Sequence, residues 1–305
     1  MKKKIKTFFV VLLFLTGLSV LLYPFLANQW NSYRQSKLIS KYTQNIEEQD
    51  EKASIDYEQQ WEMAKSYNDN LMPMILPDSF AVAEMSDRDE AYMACLNLNG
   101  DGIMGIVEIP KIKVKIPIYH TTEDEVLQLG AGHLEGSSLP VGGEGTHAVI
   151  SAHRGLPSAT LFTDLDKLEE GDHFLLHILD DVLCYEVDQI SVIEPEDTEC
   201  LSAEKGKDLV TLLTCTPYGV NSQRLLARGH RVSYVPEEVQ KENTSSLMGV
   251  SMHSNYLFWV IFGLAITGIF IVFLYLREKN LRRRREIMKE WEAVRRTDEE
   301  DSTTK

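Results

Sequence analysis

The sequence predicts a mostly β protein, a sandwich or closed barrel, preceded by an N-terminal helical segment and flanked by two transmembrane helices. Three observations carry this. Two uncharged apolar runs, residues 7–26 and 255–276, are each long enough at ~1.5 Å per residue to cross a ~30 Å hydrocarbon core. From residue 103 onward, at least seven short β runs alternate with Gly, Pro and Asp turns and leave little room for helix. The charge is also unevenly spread. Of a formal net charge of -15 over 305 residues, residues 1–6 contribute +4 and residues 277–305 contribute +2, so the stretch between them carries -21. An acidic middle held between basic ends excludes nucleic acid as the partner, because phosphate binding needs a basic face.

The first apolar run follows Lys2, Lys3, Lys4 and Lys6 and continues into Pro24-Phe25-Leu26-Ala27-Asn28-Gln29-Trp30, a poor cleavage site. An uncleaved signal anchor fits better than a signal peptide, whose apolar core spans only ~7–15 residues. The second run has Tyr256, Trp259 and Tyr275 near its ends and is followed by Arg277, Lys279 and Arg282-Arg283-Arg284-Arg285. Positive charge outside each span places both termini in the cytoplasm and the region between the spans on the outer face of the cell membrane. The expected layout is a cytoplasmic start (1–6), a span (7–26), an outer helical and connecting segment (27–102), a β domain (103–236), a linker (237–254), a second span (255–276) and a basic, then acidic tail (277–305).

Residues 30–72 are polar, free of Pro and Gly, and carry apolar residues at helical spacing, including Leu38, Tyr42, Ile46, Trp61 and Tyr67. One or two amphipathic helices are expected, either packed on the domain or forming a solvated stalk. Residues 73–102 show no clear period and end in Asn97-Leu98-Asn99-Gly100-Asp101-Gly102, a turn-rich connector. The β runs are 106–109, 114–119, 147–152, 173–179, 183–193, 208–214 and 224–234.

The chemistry-bearing residues stand at run ends. Cys215 closes one apolar run just before Thr216-Pro217-Tyr218-Gly219, and His153 closes another before Arg154-Gly155-Leu156-Pro157. Arg224 opens the run after Cys215. A free thiol has a pKa near ~8.5, so a neighbouring cation or base must generate the thiolate. A His then protonates a leaving amine, and an Arg supplies fixed donors to an oxyanion. Taken alone, a strand-end Cys reads first as a core thiol.

The local words change that weighting. Thr211-Leu212-Leu213-Thr214-Cys215-Thr216-Pro217-Tyr218-Gly219-Val220-Asn221 with Arg224-Leu225-Leu226-Ala227-Arg228-Gly229 resembles the active-site strand and loop of sortases, the cysteine transpeptidases of Gram-positive cell surfaces. Gly132-His133-Leu134-Glu135-Gly136-Ser137-Ser138 and Ser151-Ala152-His153-Arg154-Gly155-Leu156-Pro157 are similar to the class C, pilus-assembling branch. The resemblance covers about residues 103–236 and implies a closed eight-stranded β-barrel. It implies Cys215 as nucleophile, His153 as general acid/base and Arg224 as stabiliser, with Thr214 and Arg228 in supporting positions. It also implies cleavage of an LPXTG-like signal between Thr and Gly, then transfer to a Lys amine of another pilin subunit. The partners are accordingly pilin or surface-protein substrates and the membrane. Attachment of single proteins to peptidoglycan, simple hydrolysis and a non-catalytic pilin-binding scaffold remain open alternatives.

Class C enzymes usually carry an Asp-Pro-aromatic lid, and no Asp-Pro occurs in this chain. The nearest word is Pro77-Asp78-Ser79-Phe80, which makes Asp78 and Phe80 the candidates for a rewired lid. The lack of period over 73–102 favours a barrel with no plugging lid. Asn97, Asn99, Asp101 and Glu108 approach the spacing of a calcium loop, but a neutral first position and a strand at 106–109 favour an ordinary turn. His120, His133, His147, His173, His177 and His230 form no metal-ligand pattern, so neither metal nor cofactor is expected. Cys95, Cys184, Cys200 and Cys215 are scattered and do not have the spacing of a disulfide scaffold.

Overall fold

A computed structural model describes residues 2–52, 57–72, 74–81, 89–236 and 252–303. The chain divides into two units, Met1–Met248 and Gly249–Lys305. The first holds helices α1 (Lys2–Lys52), α2 (Tyr57–Asn70), α3 (Glu90–Ala94) and α4 (Asp124–Leu127) and all the strands. The second is the helix α5, Met252–Thr303. Most of the linker expected at 237–254 lies outside the described residues.

Eight strands close into a barrel: β1 (Ile103–Ile109), β2 (Val114–His120), β3 (Ala131–His133), β4 (Thr146–Ser151), β5 (His173–Ile178), β6 (Asp181–Ile193), β7 (Asp208–Thr216) and β8 (Gln223–Val232). Their order around the wall is β1-β2-β3-β4-β7-β8-β6-β5, with β2–β3 and β4–β7 parallel and the remaining pairs antiparallel. Closure leaves no strand edge unpaired, which removes the usual route to edge-to-edge association. Seven of the eight follow the expected runs. The one that the pattern does not announce is β3, whose three residues are too few to show a period. Its Gly132 is required by close approach, since a Cβ there would lie 2.2 Å from the carbonyl oxygen of Thr121, the residue after the paired strand β2.

Side chains alternate between a filled interior and an outer face. Met104, Val107, Ile118, Ile150, Phe174, Tyr185, Val210 and Leu212 belong to the central core. Ile103 and Ile106 of β1 point outward with Tyr119 and meet Tyr42, Leu38 and Ile39 of α1. The N-terminal helix therefore packs on the domain and is not a free stalk. The Tyr42 hydroxyl donates to the Met104 carbonyl at 3.2 Å and accepts from Leu179 N at 3.1 Å, and Gln35 Nε2 donates to Leu129 O at 3.2 Å. Both α1 and α5 are long and apolar enough to cross a membrane. Leu13 and Val20 on α1 are 76% and 71% exposed, and Ile269 on α5 is 71% exposed, as expected of side chains that face lipid.

The turn at residues 97–102 is held by its own side chains. Asn97 Oδ1 accepts from Gly102 N at 3.0 Å, Asp101 Oδ1 accepts from Ile103 N at 3.3 Å, and Asn45 of α1 donates to Asn99 Oδ1 at 2.6 Å. Glu108, the last residue of that motif, lies on β1 between His177 (2.9 Å) and Lys115 (2.6 Å), and these two partners pull its carboxyl down to about 2 against the opposing effect of burial. The four cysteines are all thiols.

Three histidines are built into the wall as neutral groups. His133, packed against Tyr92, bonds to Tyr92 Oη at 3.0 Å and to Ser138 O at 2.8 Å. His120 lies between Gly102 O and Cys95 O, to one of which its neutral ring donates, and His147 bonds to Ser202 O and Thr211 Oγ1. Burial lowers the pKa of all three, that of His133 to about 4. A histidine depressed in the folded state keeps its full contribution above the unfolded value of ~6.5 and loses it as pH falls toward the folded value. Lowering pH from 7 to 5 should therefore cost about 2 kcal/mol through His133 alone, with His120 and His147 adding in the same direction. Urea midpoints measured across that interval check this, and a flat profile would contradict it.

Candidate active site

The barrel register brings the sequence-identified residues together. Cys215 near the end of β7 pairs directly with Arg224 at the start of β8, and Leu213 pairs with Leu226 on the same outer face. On the other side of β7, the parallel neighbour β4 aligns Ser151 with Leu213. Two further bonds carry this pairing past the end of β4. Ala152 N donates to Leu213 O at 3.1 Å, and Thr214 Oγ1 donates to Ala152 O at 2.7 Å. His153 is the next residue, so it follows directly on a residue stapled to the two that precede Cys215. Thr214, which sequence placed beside the chemistry, is thus a link between the His-bearing and Cys-bearing segments. Strand ends that converge in this way were beyond the reach of periodicity.

After His153 the chain is shaped by Gly155, which has φ +79° and packs so closely that a Cβ would meet the Tyr218 ring at 3.0 Å. Phe162 N returns to His153 O at 3.2 Å and Gly155 N to Thr163 Oγ1 at 3.2 Å. The Arg154 guanidinium bonds to Thr163 O and Asp166 and lies 6.0 Å from the Tyr218 ring. The loop after β4 and the loop after β7 therefore brace each other.

Outside the barrel, β4, β7 and β8 present Val149, Leu213, Cys215, Arg224 and Leu226 as the floor of an apolar groove, with Leu134 and Leu201 along it. Residues 74–81 fill this groove. Leu76 is 5% exposed and packs on those leucines, and its carbonyl accepts from Thr198 Oγ1 at 2.6 Å. Asp78 forms a two-pronged pair with Arg224, 2.7 Å from Oδ1 to Nε and 2.6 Å from Oδ2 to Nη2. Arg224 Nη1 also donates to Asn221 O and Gln223 O, which fixes the fork from behind. The Phe80 ring lies 5.4 Å from the His153 ring and 5.2 Å from the Arg224 guanidinium carbon.

This corrects the expectation of an unplugged barrel. Lack of helical or strand period does not mean lack of contact, because 74–81 is held by single side chains dropped into a preformed groove. Pro77-Asp78-Ser79-Phe80 was the right word, and its meaning depended on an Arg 146 positions further along the chain. Leu76, Thr198 and Asn221 gave no sequence signal, since their parts depend on where distant backbone runs. Arg228, by contrast, lies four residues along β8 and is held by Asp188 at 2.9 and 3.1 Å and Glu204 at 3.2 Å.

The electrostatics of the covered site favour neutral groups. Burial pushes the Cys215 thiol up, Asp78 adds to this, and the Arg224 charge opposes it. Burial lowers the His153 pKa, while the Asp124 carboxylate works against that shift. A protonated thiol and a neutral imidazole are an unreactive pair, since the thiolate is the nucleophilic form.

A buried free cysteine, a histidine and a buried arginine converging on one rim of a closed barrel are the parts of cysteine-based acyl transfer. Comparison with known proteins gives this class its family. A Sortase domain model matches residues 107–232. Sortase D of Bacillus subtilis is 32% identical over 132 residues, which cover 42% of this chain and 64% of that protein. Sortase A of Bacillus anthracis is 25% identical over 232 residues, covering 76% of this chain and 96% of that protein. Among solved structures, Streptococcus pneumoniae sortase C is 44% identical, covers 65% of this chain and 97% of its own, and superposes with TM-score 0.58. Sortase C1 of group B Streptococcus pilus island 1 is 42% identical, covers 69% and 98%, and has TM-score 0.59. The chain belongs to the sortase family of cysteine transpeptidases, and these structural neighbours are of its class C branch.

The Asp78–Arg224 pair makes a direct prediction. Asp78→Ala should raise the rate at which a thiol reagent labels Cys215 by about tenfold, the change expected if the pair contributes on the order of 1.4 kcal/mol to closure. It should also move the pH midpoint of labelling downward, because a negative charge and burial are both removed. Unchanged labelling kinetics would show that 74–81 does not restrict access.

Proposed function

We propose that the chain is a membrane-anchored pilin polymerase of the sortase family. The carrying observation is the direct pairing of Cys215 with Arg224, with His153 following Ala152, which two hydrogen bonds staple to the same strand as Cys215. In this reading the Cys215 thiolate attacks the carbonyl of a Thr–Gly bond in an LPXTG-like signal. Arg224 donates to the developing oxyanion, and His153 protonates the departing Gly amine. The resulting thioester is attacked by a Lys amine, His153 takes up the released proton, and the Cys215 thiolate leaves as an amide forms.

Preference for a pilin Lys as acceptor is supported by degree of likeness. The class C neighbours are 42% and 44% identical, whereas the Bacillus anthracis sortase A relative is 25% identical. One neighbour is described through its pilin substrate specificity and another through a pilus island. Residues 74–81 act in this scheme as a lid that must leave the groove before substrate enters, with Asp78 and Phe80 as its grip. The two apolar helices anchor the enzyme, both termini lie in the cytoplasm, and the barrel faces outward. The basic flanks at Lys2–Lys6 and Arg277–Arg285 support that orientation.

The test is incubation of the outer region with a purified pilin bearing an LPXTG-like signal. A detergent-resistant ladder is expected. It should vanish with Cys215→Ala, and Arg224→Ala should slow it by about 100-fold or more, the cost of losing an oxyanion donor. Release of a shortened pilin without a ladder would favour hydrolysis or a different acceptor. A ladder that persists with Cys215→Ala would end the catalytic reading.

A further inference from the structure

α1 is one continuous helix from the expected span into the barrel contact. The apolar run ends at Leu26, and two residues later Asn28 Oδ1 accepts from both Thr160 N and Thr160 Oγ1 at 3.1 Å. Two residues of helix are ~3 Å of rise, so no stalk separates span and domain. Thr160 lies in the loop that follows His153, at the catalytic end of the barrel. Further along, Gln35 reaches Leu129, Tyr42 reaches Met104 and Leu179, and Asn45 reaches Asn99. Met104 is the second residue of β1 and Leu179 follows β5, which puts them at the opposite end of the wall. The helix thus leaves the span beside the catalytic rim and runs toward the far end.

Independent features mark the same level as interfacial. Trp30 and Tyr33 are 65% and 53% exposed on α1, with ring centroids 6.2 Å apart, one turn beyond the span. Aromatic side chains of this kind concentrate at headgroup depth. At the catalytic rim, the tip of the β7–β8 loop carries Tyr218 and Val220, 50% and 69% exposed, and Tyr218 packs on Gly155 of the loop held by Asn28.

We propose that the catalytic end of the barrel faces the lipid surface, with Tyr218 and Val220 in the headgroup layer. The inference rests on the membrane reading of α1 given above and goes beyond it by fixing which end of the barrel meets the bilayer. Substrate then reaches Cys215 along the membrane plane. The far end, where Glu144 is exposed between β3 and β4, points away from the bilayer.

The test uses the full chain in phosphatidylcholine vesicles. In a Cys200→Ser, Cys215→Ala background, Val220→Cys or Glu144→Cys is labelled with a nitrobenzoxadiazole fluorophore, since Cys95 and Cys184 are buried. Doxyl-labelled lipid should quench the label at 220 about threefold or more over that at 144, as expected for a group seated in the headgroup layer. Inserting seven alanines between Ala27 and Asn28 lifts the barrel by ~10 Å and should abolish the quenching at 220. If the chain co-floats with vesicles and both positions quench equally, the orientation is wrong while the membrane reading stands. If the chain does not co-float, the membrane reading fails and the orientation with it.

Discussion

The parallel pairing of β4 with β7 is the constraint on which the catalytic end depends. A sheet made only of hairpins would set His153 and Cys215 on strands running in opposite directions, with their ends at opposite rims. Parallel strands end together, and here they continue past the formal strand end through Ala152 N to Leu213 O and Thr214 Oγ1 to Ala152 O. The antiparallel β7–β8 pair then places Arg224 directly across from Cys215. Three residues from three strand ends thus share one rim because the barrel mixes its pairings, and the side chains need no long reach.

The same geometry explains why a short irregular segment can control the rim. Charge-assisted, two-pronged bonds between Asp78 and Arg224 are short and directional, and both side chains are close to fully buried, at 11% and 9% exposure. Leu76 adds apolar burial on the groove floor and Thr198 fixes its carbonyl. The cover is therefore one peptide segment with an apolar foot, an anionic hook and an aromatic plate over His153. Its charge acts on the Cys215 thiol as well as on the arginine, pushing the thiol pKa up in the same direction as burial.

Much of this was legible in the sequence where a property is local. Seven strands announced themselves by alternation, and the strand-end positions of Cys215, His153 and Arg224 followed from turn residues beside them. The class C likeness then supplied their roles. β3 was not legible, because three residues cannot show a period and its place depends on Gly132 fitting against Thr121 O. Packing of α1 on the barrel was undecided for a similar reason, since an amphipathic face does not name what it meets. The lid was misjudged because pattern reading detects regular structure, whereas residues 74–81 are held by Asp78, Leu76 and Phe80 individually. Arg228 shares a strand face with Arg224, yet only the fold reveals that Asp188 and Glu204 already engage it.

The cover over Cys215 bears on how long the enzyme lasts as well as on when it acts. In the orientation proposed above, the Cys215 thiol meets oxidants with no reducing pool to repair it, and the thiolate is the form that oxidises. Burial of Cys215, 6% exposed, together with the upward push on its pKa keeps the thiol low on that ladder. In the proposed scheme, the segment that must leave before substrate enters would thereby also lengthen the working life of the thiol it covers.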